Sequence, residues 1–90
     1  MEIRESAEDY LERILMLNKS MGQVRAVDIA NLMNFSKPSV SIALKKLRQN
    51  GYVNIDGGGY ITLTESGLEI AERVFERHRL ISQLLMALGV

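Results

Sequence analysis

An aspartate followed by three glycines, Asp56-Gly57-Gly58-Gly59, interrupts a chain whose apolar residues otherwise recur at helical spacing. Val53 and Ile55 before it, and Ile61 and Leu63 after it, alternate with other residues. Period-two runs about a glycine cluster predict a β-hairpin. Upstream, Ser6 is a good N-cap with Asp9 at the third helical position. Ala7, Tyr10, Leu11, Ile14, Leu17 and Met21 then mark the buried stripe of a first helix that stops at Met21-Gly22. A shorter helix follows over Asp28–Met33, with Val27 as a poor cap and Ile29, Ala30, Leu32 and Met33 as its apolar surface. Asn34-Phe35-Ser36 is a turn. Ser36 caps a third helix with Pro38 in its first turn, where the missing N–H is not needed. That helix packs through Val40, Ala43, Leu44 and Leu47 and ends at Asn50-Gly51, the glycine serving as a left-handed cap. Thr64 caps a last helix whose apolar series is Ala71, Val74, Ile81, Leu85 and Leu88. The expected fold is mainly α with a small β-hairpin, in the order of a winged helix-turn-helix.

Ninety residues suffice for one domain of this kind and not for two. With no cysteine and one histidine, disulfides, zinc fingers and multi-histidine sites are excluded for this chain alone. The acidic N-terminus does not read as a signal peptide, and no apolar run approaches the ~18 residues of a membrane span. A soluble, cytoplasmic domain with no membrane partner is expected.

Net charge is zero, but it is unevenly placed. Residues 36–64 hold Lys37, Lys45, Lys46 and Arg48 against Asp56 alone, net +3, whereas the flanking stretches are neutral or acidic. Local charge matters more to a partner than the total. Opposite the core stripe of the third helix, at about 100° per residue, lie Pro38, Ile42 and Lys45, flanked by Ser39, Ser41, Lys46 and Arg48. Hydroxyls and cations suit phosphate oxygens, and Ile42 and Pro38 suit thymine methyl groups in a major groove. The candidate contacts to double-stranded DNA are Ser36, Lys37, Pro38, Ser39, Ser41, Ile42, Lys45 and Lys46, with the hairpin's Gly58. The glycines have two readings. Their N–H groups could meet a phosphate, or they could simply permit positive φ in a tight turn.

Asp9 and Glu12, three apart, share a face of the first helix opposite the Tyr10, Ile14 and Leu17 stripe. Acids in a first turn ordinarily favour the helix dipole and face water. His78 falls within the apolar series of the last helix, between Val74 and Ile81. Such a histidine is either a hydrogen-bonded core residue or a ligand. No catalytic constellation accompanies these groups, so the chain is not expected to be an enzyme.

Five short segments in order carry a resemblance: Ser6-Ala7-Glu8-Asp9-Tyr10-Leu11-Glu12, Arg25-Ala26-Val27-Asp28-Ile29-Ala30, Ser36-Lys37-Pro38-Ser39-Val40-Ser41, Leu63-Thr64-Glu65-Ser66-Gly67 and Arg77-His78-Arg79-Leu80. Together they resemble the N-terminal region of the diphtheria-toxin-repressor family of metal-dependent transcriptional regulators, on its manganese transport regulator branch. The resemblance implies a repressor that reads a palindromic operator as a homodimer. Ser36, Pro38, Ser39, Ser41 and Ile42 would stand at operator-contacting positions, and Asp9, Glu12 and His78 at metal-ligand positions. Ile42 replaces a glutamine of some iron-sensing members, leaving preference to methyl contact and DNA shape. An oxygen at Asp9, where iron-type members tend to carry methionine, favours Mn²⁺ over Fe²⁺. Ser82 replaces a glutamate ligand of some members.

By this reading residues 3–72 form the winged-helix domain. Residues 73–90 begin a metal-binding and dimerisation region that stops short of the family's later ligands. The crowded tail of Leu80, Ile81, Leu84, Leu85, Met86, Leu88 and Val90 is expected to meet another chain. If Asp9, Glu12 and His78 are to share an ion, the later turns of the last helix must cross the outer side of the first. The alternative is a winged-helix module for protein–protein association, with Ile42 and the leucine-rich tail as its surfaces.

Overall fold

Short-range hydrogen bonds set several of the element boundaries. The structure is a computed structural model, which describes the backbone of residues 3–87 and the side chains of residues 7–80. Its elements are α1 (Ile3–Met21), α2 (Ala26–Met33), α3 (Lys37–Gln49), β1 (Val53–Ile55), β2 (Ile61–Leu63) and α4 (Glu65–Ala87). Helix α1 already runs at Ser6, so that serine lies inside it rather than capping it. Met21, expected on the buried stripe, is 52% exposed at the helix end. Helix α2 is capped by Arg25 rather than Val27: the Arg25 backbone N–H donates to Asp28 Oδ2 at 2.9 Å. This is the returning half of a capping box, and it needs no side chain from the cap residue. Leu32, expected to pack, is exposed.

Asn34 closes α2 in the left-handed conformation (φ 58°), and the Phe35 N–H donates to Ala30 O at 3.1 Å. Ser36 caps α3 as expected, its Oγ accepting from the Ser39 N–H at 3.3 Å, with Pro38 in the first turn. Gly51 (φ 79°) closes α3, with Gly51 N–H on Arg48 O at 3.0 Å and Tyr52 N–H on Leu47 O at 2.9 Å. That pair of bonds is a Schellman motif.

The hairpin pairs antiparallel in the register Val53–Leu63, Asn54–Thr62 and Ile55–Ile61. Val53 and Ile61 are buried, Ile55 and Leu63 half-buried, and Asn54 and Thr62 face water. The outer edge of β2 takes one more bond: the Ile61 N–H donates to Val24 O at 2.7 Å. Val24 is fully buried, so the segment between α1 and α2 anchors the wing from the side opposite β1.

Thr64 joins hairpin to α4. Its Oγ1 donates to Gly51 O at 2.6 Å and accepts from the Gly67 N–H at 3.1 Å. Gly67 itself is buried against Tyr52, and a Cβ there would fall on the Tyr52 carbonyl. No other residue type fits so close a backbone approach.

Leu11, Ile14, Val24, Ile29, Val40, Val53 and Ile61 form the driest part of the core, joined by Tyr10, Leu44, Leu47 and Ala71. Helix α4 lies along α1. Glu12 meets His78 and Lys19 meets Phe75, so the two helices run in opposite directions. Helix α1 is thus buried on two sides. Leu15 and Glu12 lie on the second, which the apolar period of the sequence does not mark. No helix among the described residues is long and apolar enough to cross a membrane. The side chains of Ile81 to Val90, with Ser82 and most of the leucine-rich tail, lie outside the described residues.

Candidate DNA-contacting face and carboxylate–imidazole pair

Capping fixes the start of α3, and Val40, Leu44 and Leu47 press its inner side into the core. Everything on the outer side is therefore presented to solvent. Ser36, Lys37, Pro38, Ser39, Ser41, Ile42, Lys45, Lys46 and Arg48 are all exposed, as the helical spacing predicts. Ile42, at 59%, is the most exposed of the large apolar side chains described. Among the described residues, none of Lys37, Lys45, Lys46 and Arg48 pairs with a carboxylate. The Ser36 hydroxyl is engaged locally, donating to Ser39 Oγ at 2.9 Å while accepting from the Ser39 N–H. Ser39 keeps its own hydroxyl hydrogen for an outside acceptor.

The hairpin tip departs from expectation. The Gly58 N–H, one candidate for an incoming phosphate, donates instead to Asp56 Oδ1 at 2.9 Å. The same oxygen accepts from the Tyr60 N–H at 2.9 Å. Asp56 thereby closes its own turn, as Asx side chains do. Gly59 has φ 83°, so the positive-φ reading of the glycine cluster holds there.

The second site lies on the α1–α4 seam. His78 Nδ1 is 2.8 Å from Glu12 Oε2. Glu12 does not face water: α1 begins at Ile3, so it lies beyond the first turn, α4 covers it, and its side chain is 4% exposed. Its other oxygen, Oε1, is buried and has no hydrogen-bond partner among the described residues. His78 does not point into the core with Ala71 and Val74 either. Its ring sits at the rim, 53% exposed, reaching across to α1. Asp9 is exposed, and no group of three metal-capable side chains forms among the described residues. The structure thus joins two of the three residues expected to share an ion and leaves Asp9 one turn away on the same face.

Burial leaves a further mark on the opposite side of α1: desolvation pushes the Tyr10 phenol above its usual range. Tyr10 packs its ring against Phe35, with centroids 6.0 Å apart.

Sequence reasoning missed Arg25 and Tyr60. The Arg25 guanidinium donates to the Tyr60 hydroxyl at 3.1 Å and lies 4.5 Å from the centroid of that ring. They are 35 positions apart, and no local pattern announces the contact.

Three helices carrying a two-stranded wing, with a capped, cation-bearing third helix turned outward, define a winged helix-turn-helix regulator. Residues 2–59 match the family described as iron dependent repressor, N-terminal DNA binding domain. The chain belongs to this family, whose members are transcriptional regulators. It is 37% identical over 83 residues to an HTH-type transcriptional regulator of Methanocaldococcus jannaschii, covering 91% of this chain and 66% of that protein. It is 34% identical over 87 residues to the transcriptional regulator MntR of Escherichia coli O6:H1, covering 97% of this chain and 56% of that protein. Against the solved structure of the manganese regulator SloR the TM-score is 0.76 at 34% identity, over 90% of this chain and 38% of that one. The chain spans between about half and two thirds of the length of the first two relatives.

Proposed function

We propose that this chain is the DNA-reading part of a metal-dependent transcriptional repressor that binds a palindromic operator as a homodimer. Helix α3 enters the major groove, with Ile42 and Pro38 against base edges and Lys37, Lys45, Lys46 and the serines on the flanking phosphates. One observation carries this reading. A fully capped helix holds a β-branched apolar side chain 59% exposed in the midst of unpaired lysines. Water is a poor partner for that arrangement, and a thymine-bearing groove is a good one.

The Glu12–His78 pair supports metal control. A buried carboxylate oxygen without a donor is costly unless something supplies positive charge. A carboxylate oxygen and an imidazole nitrogen are donors that first-row divalent ions accept. Glu12 and His78 would hold such an ion, Mn²⁺ or Fe²⁺, with Asp9 as the next carboxylate on that face. Its charge would tie α1 to α4. Two or three protein donors leave most of an octahedral shell to water, so binding by this chain alone is expected to be weak.

Thermal unfolding with and without MnCl₂ tests the metal assignment. Mn²⁺ should raise the midpoint of the parent chain and leave that of Glu12→Gln/His78→Ala unmoved. Equal shifts in both would place the ion elsewhere. On the DNA side, Ile42→Ala should change base preference at one or two positions of a selected duplex pool. An unchanged preference would remove α3 as the reading element.

A further inference from the structure

The geometry points to Arg25 and Tyr60 as a clamp that sets the pose of the wing against α3, making Arg25 a positioning residue for DNA binding rather than a phosphate contact. This rests on the DNA-reading role proposed above.

A wing joined to its domain by short strands would swing at its tip unless something holds it. Here the hold is continuous. Arg25 is fixed at its backbone, where its N–H caps α2 through Asp28. The neighbouring Val24 carbonyl takes the Ile61 N–H of β2. The Arg25 side chain then spans to Tyr60 by two separate interactions, a hydrogen bond to the hydroxyl and a cation over the ring face. Tyr60 passes the restraint on to the tip. Its backbone N–H is bonded to Asp56 Oδ1. Its ring also lies so close to Gly58 that a Cβ there would stand 3.2 Å from the ring carbons. Helix α2, which packs on α3, is therefore coupled to the glycine tip through two side chains.

What the clamp sets is the cleft between wing and α3, a volume of about 310 Å³ bounded by Ser41, Lys45, Arg48, Ile55 and Gly59. One side of it offers a hydroxyl and two cations, and the other offers glycine backbone. A sugar–phosphate strand fits that chemistry. Arg25 does not line this cleft, and its guanidinium is occupied by Tyr60. Its effect on DNA should run through the wing.

The test compares Arg25→Ala, Tyr60→Leu and the double variant in the full chain. Arg25→Ala keeps the backbone cap, so α2 should persist. Backbone ¹⁵N relaxation should show the Gly57–Gly59 amides more mobile in both single variants and no more mobile in the double. Each single variant should lose about three- to tenfold in duplex affinity, with the double no weaker than either and the salt slope unchanged. Tyr60→Phe keeps the ring and should fall between parent and Tyr60→Leu. Unaltered tip mobility in Tyr60→Leu would overturn the clamp. So would a salt slope reduced by about one in Arg25→Ala with Tyr60→Leu binding normally, since Arg25 would then touch phosphate itself. If the parent binds no duplex, the DNA-reading role fails, and the relaxation data alone still decide the clamp.

Discussion

The outer face of α3 and the seam between α1 and α4 handle charge in opposite ways. On α3 the cations stand in water, and the helix beneath them is complete: capped at Ser36, closed at Gly51 and packed through Val40, Leu44 and Leu47. Exposed charges of this kind contribute little to stability, so their clustering speaks to a partner. On the seam a single carboxylate has been taken out of water, with His78 on one oxygen and, among the described residues, no hydrogen-bond partner on the other. That arrangement costs stability. A surface for a large polyanion can be assembled from solvated groups, whereas a site for a small cation must hold unsatisfied charge in reserve.

The largest effect should come at the joint that keeps the two regions in one body. Gly67→Ala puts a methyl group on the Tyr52 carbonyl, and the backbone must part to admit it. A loss of about 3 kcal/mol is expected in urea unfolding. A loss under about 1 kcal/mol would mean that α4 can be displaced without cost, and that the seam is not rigidly placed against the wing. Next, Glu12→Leu should stabilise the metal-free chain by about 1 kcal/mol while removing any response to Mn²⁺. A destabilisation of that size or more would make Glu12 an ordinary structural partner of His78 and erase the contrast. Ser36→Ala should cost about 1 kcal/mol through the lost cap of α3 and leave the Mn²⁺ response intact.

The smallest effect concerns Tyr10. Its phenol is raised by burial, so the folded chain resists its ionisation more than the unfolded chain does. The resulting stability is fully present below the ordinary tyrosine range near 10 and is lost as pH rises through the raised value. Tyr10→Phe should therefore unfold less steeply with pH above that range and show little change at neutrality. An identical alkaline profile in both would show that another group governs it.

The two regions also differ in how far the sequence reveals them. Helix α3 was legible because its signals are local: Ser36 with Pro38 at one end, Asn50-Gly51 at the other, and a 3.6-residue period between. The hairpin was legible for the same reason, from the alternation of Val53, Ile55, Ile61 and Leu63 about the glycines; its register was not. Local reading failed where distant elements decide. Glu12 reads as a solvated acid because nothing near it predicts that α4 will cover it, and His78 reads as a core residue because its own helix places it in an apolar series. Resemblance to the repressor family named both residues and called for their approach across the two helices; the burial of Glu12 and its bare Oε1 came from tertiary packing. The Arg25–Tyr60 contact lay beyond either route. Gly58 shows the reverse error, since Asp56 two residues earlier is a legible Asx-turn signal that accounts for its N–H without any phosphate.

The proposed function has α3 track the phosphates of duplex DNA through its exposed lysines. Its most direct measurement is the salt dependence of duplex binding by the parent and by Lys45→Ala/Lys46→Ala, followed by fluorescence anisotropy between about 50 and 200 mM salt. The variant should bind all sequences more weakly by a similar factor, and its log K against log salt slope should be shallower by about two. A slope equal to the parent's would contradict the claim and move the DNA to another face of the molecule.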